Sequence, residues 1–216
     1  MVQAELARHG VSSLAIDLPG FGSSPPPSVA GGARLYATLV APVLASLPGP
    51  VVLVGHSFGG RVATVLAADY PELVRSVVLS GVPLLRDANV ERSPRRYRTI
   101  RWLRHRGWIS EARLEAARHR YGSTDYRAAT GIVRDVLVVT VAEGYADELG
   151  RLTVPVFFLW GELDTVVPVD VALRANGLVP GAHETQNRVR VLPGVGHLVP
   201  IEAASSMVEL IRGVAQ

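Results

Sequence analysis

The chain has no cysteine, which excludes a disulfide framework, a thiolate metal site and a cysteine nucleophile. It has no lysine either. All 22 basic residues are arginine, a bias that points to genome composition rather than to a selected chemistry. No apolar run approaches the roughly 18–20 residues that span a bilayer, so no membrane association is expected. The first twenty residues mix acid, base and glycine through what would be the apolar region of a secretory signal, and the expected location is cytoplasmic. No internal repeat is visible. What remains is 216 residues, 48% apolar and 19% charged, which is enough to bury the core of one domain and too apolar for disorder.

The net charge of +3 is unevenly spread. Residues 91–120 hold ten arginines against Glu91, Glu111 and Glu115. Such a segment could meet nucleic acid, anionic lipid or an acidic substrate, but the ordinary reading is a solvated helix face. No recognition-helix or RNA-binding motif accompanies the charge, so no nucleic-acid partner is expected.

Short β-branched runs alternate with helical stretches, the pattern of a mostly parallel sheet flanked by helices. Strands are predicted at Ser13–Asp17, Val51–Gly55, Ser76–Ser80, Val154–Trp160 and Arg188–Leu192. Helices are predicted at Ala33–Ser46, Phe58–Tyr70, Val169–Leu178 and Ile201–Val214. Residues 83–150 break the alternation. They carry the arginines, Trp102 and Trp108, and three predicted helices at Pro94–Arg106, Ser110–Arg120 and Asp125–Tyr145, with Ser110 a suitable N-cap. The expected organisation is one α/β domain, core 1–82 and 151–216, with a helical cap inserted at 83–150.

The strongest local signal is the strand Val51-Val52-Leu53-Val54 running into Gly55-His56-Ser57-Phe58-Gly59-Gly60 and directly into a helix. A sharp strand-to-helix turn strains the backbone of the middle serine and lifts its side chain into the open. Glycines two positions before and after Ser57 are expected because side chains there would clash. The helix N-terminus offers backbone N–H groups to a developing oxyanion. A serine hydroxyl also needs a base, and the base needs an orienting acid. Asp164 follows the predicted strand Val154–Trp160, within Gly161-Glu162-Leu163-Asp164. His197 follows the last predicted strand, within Gly194-Val195-Gly196-His197. Each lies just past the carboxyl end of a strand, the edge where open α/β sheets bind ligands. Glu162 and Asp87 are rival acids. His9, His56, His105, His119 and His183 are rival bases, of which His56 is too close in sequence to turn its ring onto Ser57.

These segments, with Asp17-Leu18-Pro19-Gly20-Phe21-Gly22-Ser23-Ser24, resemble an α/β-hydrolase of the serine-hydrolase type from about Val11 to the C-terminus. The resemblance implies Ser57 as nucleophile, His197 as general base, Asp164 as its orienting acid and the Phe58 N–H as an oxyanion donor. His56 and Trp102 are candidate substrate contacts. The implied reaction is hydrolysis of a small ester, thioester or amide through an acyl-serine. Carbon–carbon bond hydrolysis or cofactor-free haloperoxidase-like chemistry is the alternative within the fold, and a non-catalytic pocket protein the alternative outside it. Relatives with an aspartate nucleophile are the epoxide hydrolases and haloalkane dehalogenases, and Ser57 argues against both. No metal or organic cofactor is implied, and the expected partner is a small-molecule substrate.

The resemblance also implies three strands and a His-Gly loop ahead of the Asp17–Ser24 segment, the loop supplying a second oxyanion donor. Met1 falls inside what reads as the helix before the first recognisable strand. The expectation is a sheet of about five strands with a gap between Ser13–Asp17 and Val51–Gly55, weak turnover, and an open edge across which copies could associate.

Overall fold

The computed structural model describes residues 1–86, 99–100, 102–104, 106–121, 131–181 and 188–215. Its sheet has four parallel strands in sequence order: β1 (Val51–His56), β2 (Val74–Ser80), β3 (Val156–Gly161) and β4 (Val189–Leu192). The helices, in chain order, are α1 (Val2–Arg8), α2 (Ala33–Ala45), α3 (Ser57–Asp69), α4 (Glu111–Tyr121), α5 (Gly131–Val141), α6 (Ala146–Arg151), α7 (Val169–Asn176), α8 (Val199–Glu202) and α9 (Ala204–Ala215).

The β3 side chains show how the layers form. Val156, Phe158 and Trp160 enter the larger core with α2, α3, α6 and α7, while Leu159 enters the smaller one with α1, α8 and α9. Alternation along a strand sends neighbours to opposite faces, and here both faces are covered by helices. That is why β3 reads as a continuous apolar run rather than as an alternating one.

The expected strand Ser13–Asp17 does not form. The segment has no ladder, and Leu14 and Ile16 are 62% and 37% exposed. Strand character needs a partner as well as a pattern. Nothing among the described residues pairs with the outer side of β1, where Val54 is 43% exposed. The sheet thus has four strands rather than five and begins at β1, not beyond a gap. Asp17 instead closes the following turn, its Oδ2 accepting the N–H and hydroxyl of Ser23 at 2.9 and 2.8 Å. The backbone bond first, then the hydroxyl bond, holds its carboxyl below the usual carboxylate range.

The predicted C-terminal helix is also interrupted. Ala203 (φ −139°, ψ 45°) separates α8 from α9. Between β2 and β3 the described residues hold helices and no strand. Ser110 Oγ accepts the Arg113 N–H at 3.4 Å, as an N-cap should. Residues 87–98 and 122–130, and with them much of the predicted helix Pro94–Arg106 and the start of Asp125–Tyr145, lie outside the described residues, and the rest of the latter is helical as α5 up to Val141.

Two arginines fasten the C-terminal end of α5 to the sheet domain: Arg61 Nη1 donates to Thr140 O and Arg86 Nε to Ala142 O, both at 2.7 Å. Cations suit the negative end of a helix dipole. Glu143 accepts the Ala33 N–H and the Tyr145 hydroxyl, and Arg34 pairs with the buried Glu148. Among the described residues no helix is long and apolar enough to cross a membrane.

Candidate active site

Ser57 opens α3 directly after β1 with φ +48°, the one non-glycine residue at positive φ among those described. Such a conformation costs of order 1–3 kcal/mol and persists only where the surroundings impose it. The imposition is visible next door. A Cβ on Gly55 would lie 2.4 Å from Gly60 Cα, and one on Gly60 would lie 2.2 Å from Val82 Cγ2. Only two glycines let the strand and helix cross this closely. The second is Gly60 and not the expected Gly59, whose Cβ would meet nothing within 4 Å.

The Phe58 N–H belongs to the first turn of α3, where amides lack intrahelical acceptors. The Phe58 ring is held by Phe21, stacked at 5.5 Å, and by Tyr36, edge-on at 4.9 Å. The Tyr36 hydroxyl in turn donates to Pro19 O at 2.9 Å. The Asp17–Ser24 segment is thereby packed against the residue that follows Ser57.

Asp164 and His197 meet. His197 Nδ1 lies 2.8 Å from Asp164 Oδ2, and the Asp164 side chain is fully buried. The other oxygen, Oδ1, accepts the N–H groups of Val166 and Val167 at 2.9 and 2.8 Å. A carboxylate so placed accepts from Nδ1–H and leaves Nε2 of His197 with its lone pair. Glu162, the rival acid, is turned away and accepts the Gly194 N–H at 3.0 Å. Asp87, His105 and His183 lie outside the described residues, as does the His119 side chain. His9 is exposed at the end of α1.

The ring of His197 is 4.8 Å from that of His56, the residue before Ser57. Both imidazoles pass over Gly81 at the end of β2, where a Cβ would lie 2.8 Å from His197 Cε1 and 3.0 Å from His56 Cε1. Gly81 was not singled out in the sequence, and its position just past a strand end is the only signal it offers. His56 Nδ1 lies 2.9 Å from Ser80 O. A carbonyl can only accept, so this nitrogen carries the proton.

Burial pushes the His56 imidazolium below its usual range, and the nearby His197 lowers it further. The unfolded chain binds that proton near pH 6.5, the folded one only at lower pH. Stability present above about pH 6.5 is therefore lost as the pH falls below it. A His56→Asn variant keeps a donor for Ser80 O and is expected to flatten that acid limb, measured as urea midpoints between pH 5 and 8. An unchanged pH dependence would remove this role from His56.

Trp102 is half exposed, edge-on to Trp108 at 5.4 Å, with the Arg106 guanidinium 5.1 Å above its ring. These partners lie four and six residues along the chain, and none of these contacts brings it to Ser57 or His197.

Parallel strands layered between helices, with a strained serine after one strand and an Asp–His pair after two others, define the hydrolase class of α/β proteins. The chain belongs to the alpha/beta hydrolase family, whose model matches residues 2–210. Among curated proteins it is 26% identical over 220 residues to a 2-hydroxy-6-oxononadienedioate/2-hydroxy-6-oxononatrienedioate hydrolase of a Pseudomonas species, covering 94% of this chain and 76% of that protein. It is 43% identical to the 2-(acetamidomethylene)succinate hydrolase of Mesorhizobium japonicum, but over 68 residues that span 31% of this chain and 24% of the relative. A thermophilic esterase from Thermogutta terrifontis superposes with TM-score 0.66 at 22% identity, covering 100% of this chain and 84% of that one.

Proposed function

We propose that the chain is a serine hydrolase that cleaves a small ester, thioester or amide through an acyl-serine intermediate. The observation that carries this reading is the 2.8 Å bond between His197 Nδ1 and the buried Asp164, on the sheet edge where Ser57 stands at φ +48°. With Nδ1–H committed to Asp164, Nε2 of His197 accepts the Ser57 proton as Oγ attacks the acyl carbon. The Phe58 N–H stabilises the oxyanion. His197 then protonates the leaving group, and the cycle repeats with water as nucleophile. Asp164, bonded to Nδ1, steadies the imidazolium.

Carbon–carbon bond hydrolysis is the second reading, favoured by the likeness to the Pseudomonas hydrolase along 94% of the chain. The names of both curated relatives describe carboxylate substrates, and the arginines of residues 91–120 suit an anionic substrate.

The test is labelling of the full chain with a fluorophosphonate probe, beside turnover of p-nitrophenyl acetate. Wild type is expected to label, and Ser57→Ala to lose labelling together with about 10⁴-fold or more in kcat. Equal labelling of the two proteins leaves the non-catalytic pocket reading in place. Turnover of a 2-hydroxy-6-oxo-dienoate above that of a carboxylate-bearing ester selects the second reading.

A further inference from the structure

Glu202 takes no part in the chemistry proposed above, yet its two carboxylate oxygens reach to either side of His197. Oε2 accepts the Gly196 N–H at 2.7 Å, and Oε1 accepts the Leu198 N–H at 3.0 Å. One side chain thus holds both amide groups that flank the proposed base. The Glu202 N–H also donates to Leu198 O at 2.8 Å, the backbone bond of the single turn of α8.

The remaining loop contacts show what this hold governs. Glu162 takes the Gly194 N–H on the same strand-end loop. Two carboxylates therefore anchor the alternate amides of residues 194, 196 and 198, while a third, Asp164, takes the His197 ring. The loop is pressed from the other side as well, since a Cβ on Gly161 would lie 2.0 Å from Gly196 O. Asp164 sets the rotation of the imidazole about its own bonds. It does not set where the backbone carrying the imidazole stands, and Glu202 is the side chain bonded to the amides on both sides of that residue.

We infer that Glu202 is the positioning residue of His197, acting through the two peptide units rather than through the ring. Glu202 is exposed at the rim of the sheet. Water replaces a carboxylate at exposed amides at small cost to the fold, but it does not restore one fixed loop position. The effect of removal belongs in kcat.

The kinetic half of the test rests on the hydrolase reading. Glu202→Ala is expected to lower kcat on p-nitrophenyl acetate by about 10- to 100-fold with KM little changed, as misplacement of a catalytic group does. Glu202→Gln falls between, because an amide offers one acceptor and turns donors toward the second N–H. In a His197→Ala background, Glu202→Ala is expected to add nothing, since a residue acting only through His197 has nothing left to position.

The second readout needs no turnover. The low-field proton signal of His197 Nδ1–H, assigned by its absence in His197→Ala, is sharp in wild type and broadened or lost in Glu202→Ala. If both substitutions leave kcat and this signal as in wild type, or if the Glu202 and His197 losses are additive, the inference is overturned. Wild type without Ser57-dependent turnover sinks the hydrolase reading alone, and the proton signal still decides the role of Glu202. If the alanine variant does not fold, Glu202→Gln is read by the same two measurements.

Discussion

Asp164→Asn is expected to lower kcat by about 10⁴-fold while leaving the protein folded. The oxygen that does not face the histidine decides the outcome. Oδ1 accepts two backbone N–H groups, from Val166 and Val167. Asparagine has one acceptor oxygen, and those two donors will claim it. The side-chain NH2 then occupies the place of Oδ2, facing His197 Nδ1. Two donors cannot share that contact, so the imidazole moves its proton to Nε2 and accepts the amide at Nδ1. Nε2, now protonated, cannot take the proton of Ser57.

Shape and both backbone bonds survive the change, so the loss in unfolding free energy stays within about 1.5–3 kcal/mol, the range of one hydrogen bond to a charged group. Fluorophosphonate labelling should slow in parallel with kcat. Glu162→Gln is the control: it keeps an acceptor for the Gly194 N–H and should behave as wild type. Wild-type turnover by Asp164→Asn would remove Asp164 from the role of orienting acid.

The elements that were legible in the sequence are those whose pattern and partner coincide. β1 to β3 are mostly apolar because helices cover both faces of the sheet there, while β4 carries the exposed Arg190, and the limits of all four fall within two residues of expectation. The start of β3 shifts from Val154 to Val156 because Pro155 has no N–H to give and contributes only its carbonyl, to Val77 N. Ser13–Asp17 carries the same kind of pattern without a neighbour, and a strand is a relation between two segments.

The strained Ser57 turn and the Asp164–His197 contact were legible because each residue stands just past a strand, within a glycine-bearing turn. The supporting groups were not. Glu202 works across five residues by bonds from a side chain to the backbone, which leave no periodicity. Gly81 is required by two rings that come from other parts of the chain. Gly59 belongs to the motif, while Gly60, one position on, carries the steric need. Burial of His56 and its bond to Ser80 O are likewise products of tertiary packing.

Gly161→Ala should be the most damaging of the small substitutions at this sheet edge, because it strikes the point where the two loops cross. Gly161 ends β3, paired with Leu192 of β4. Past it, the chain carrying Asp164 is laced to the chain carrying His197 by Glu162 N–H to Leu192 O at 3.0 Å and Leu163 N–H to Val195 O at 2.8 Å. A Cβ on Gly161 would lie 2.0 Å from Gly196 O and 2.4 Å from Val195 O. Both obstacles are backbone, so no rotamer change relieves them, and one loop must move off the other. Overpacking of this kind costs roughly 1–3 kcal/mol and occasionally more. At the upper end, about 3 kcal/mol lowers Tm by roughly 6–12 °C in a domain of this size. The displaced loop is the one that holds His197, so kcat should fall about tenfold or more alongside Tm. Gly213→Ala separates this effect from a general intolerance of change. Its Cβ would meet nothing within 4 Å inside α9, and alanine is favoured over glycine in a helix by about 1 kcal/mol, so Tm should hold or rise. A Gly161→Ala protein with wild-type Tm and kcat would mean that the Asp164 and His197 loops are not pressed together at this glycine.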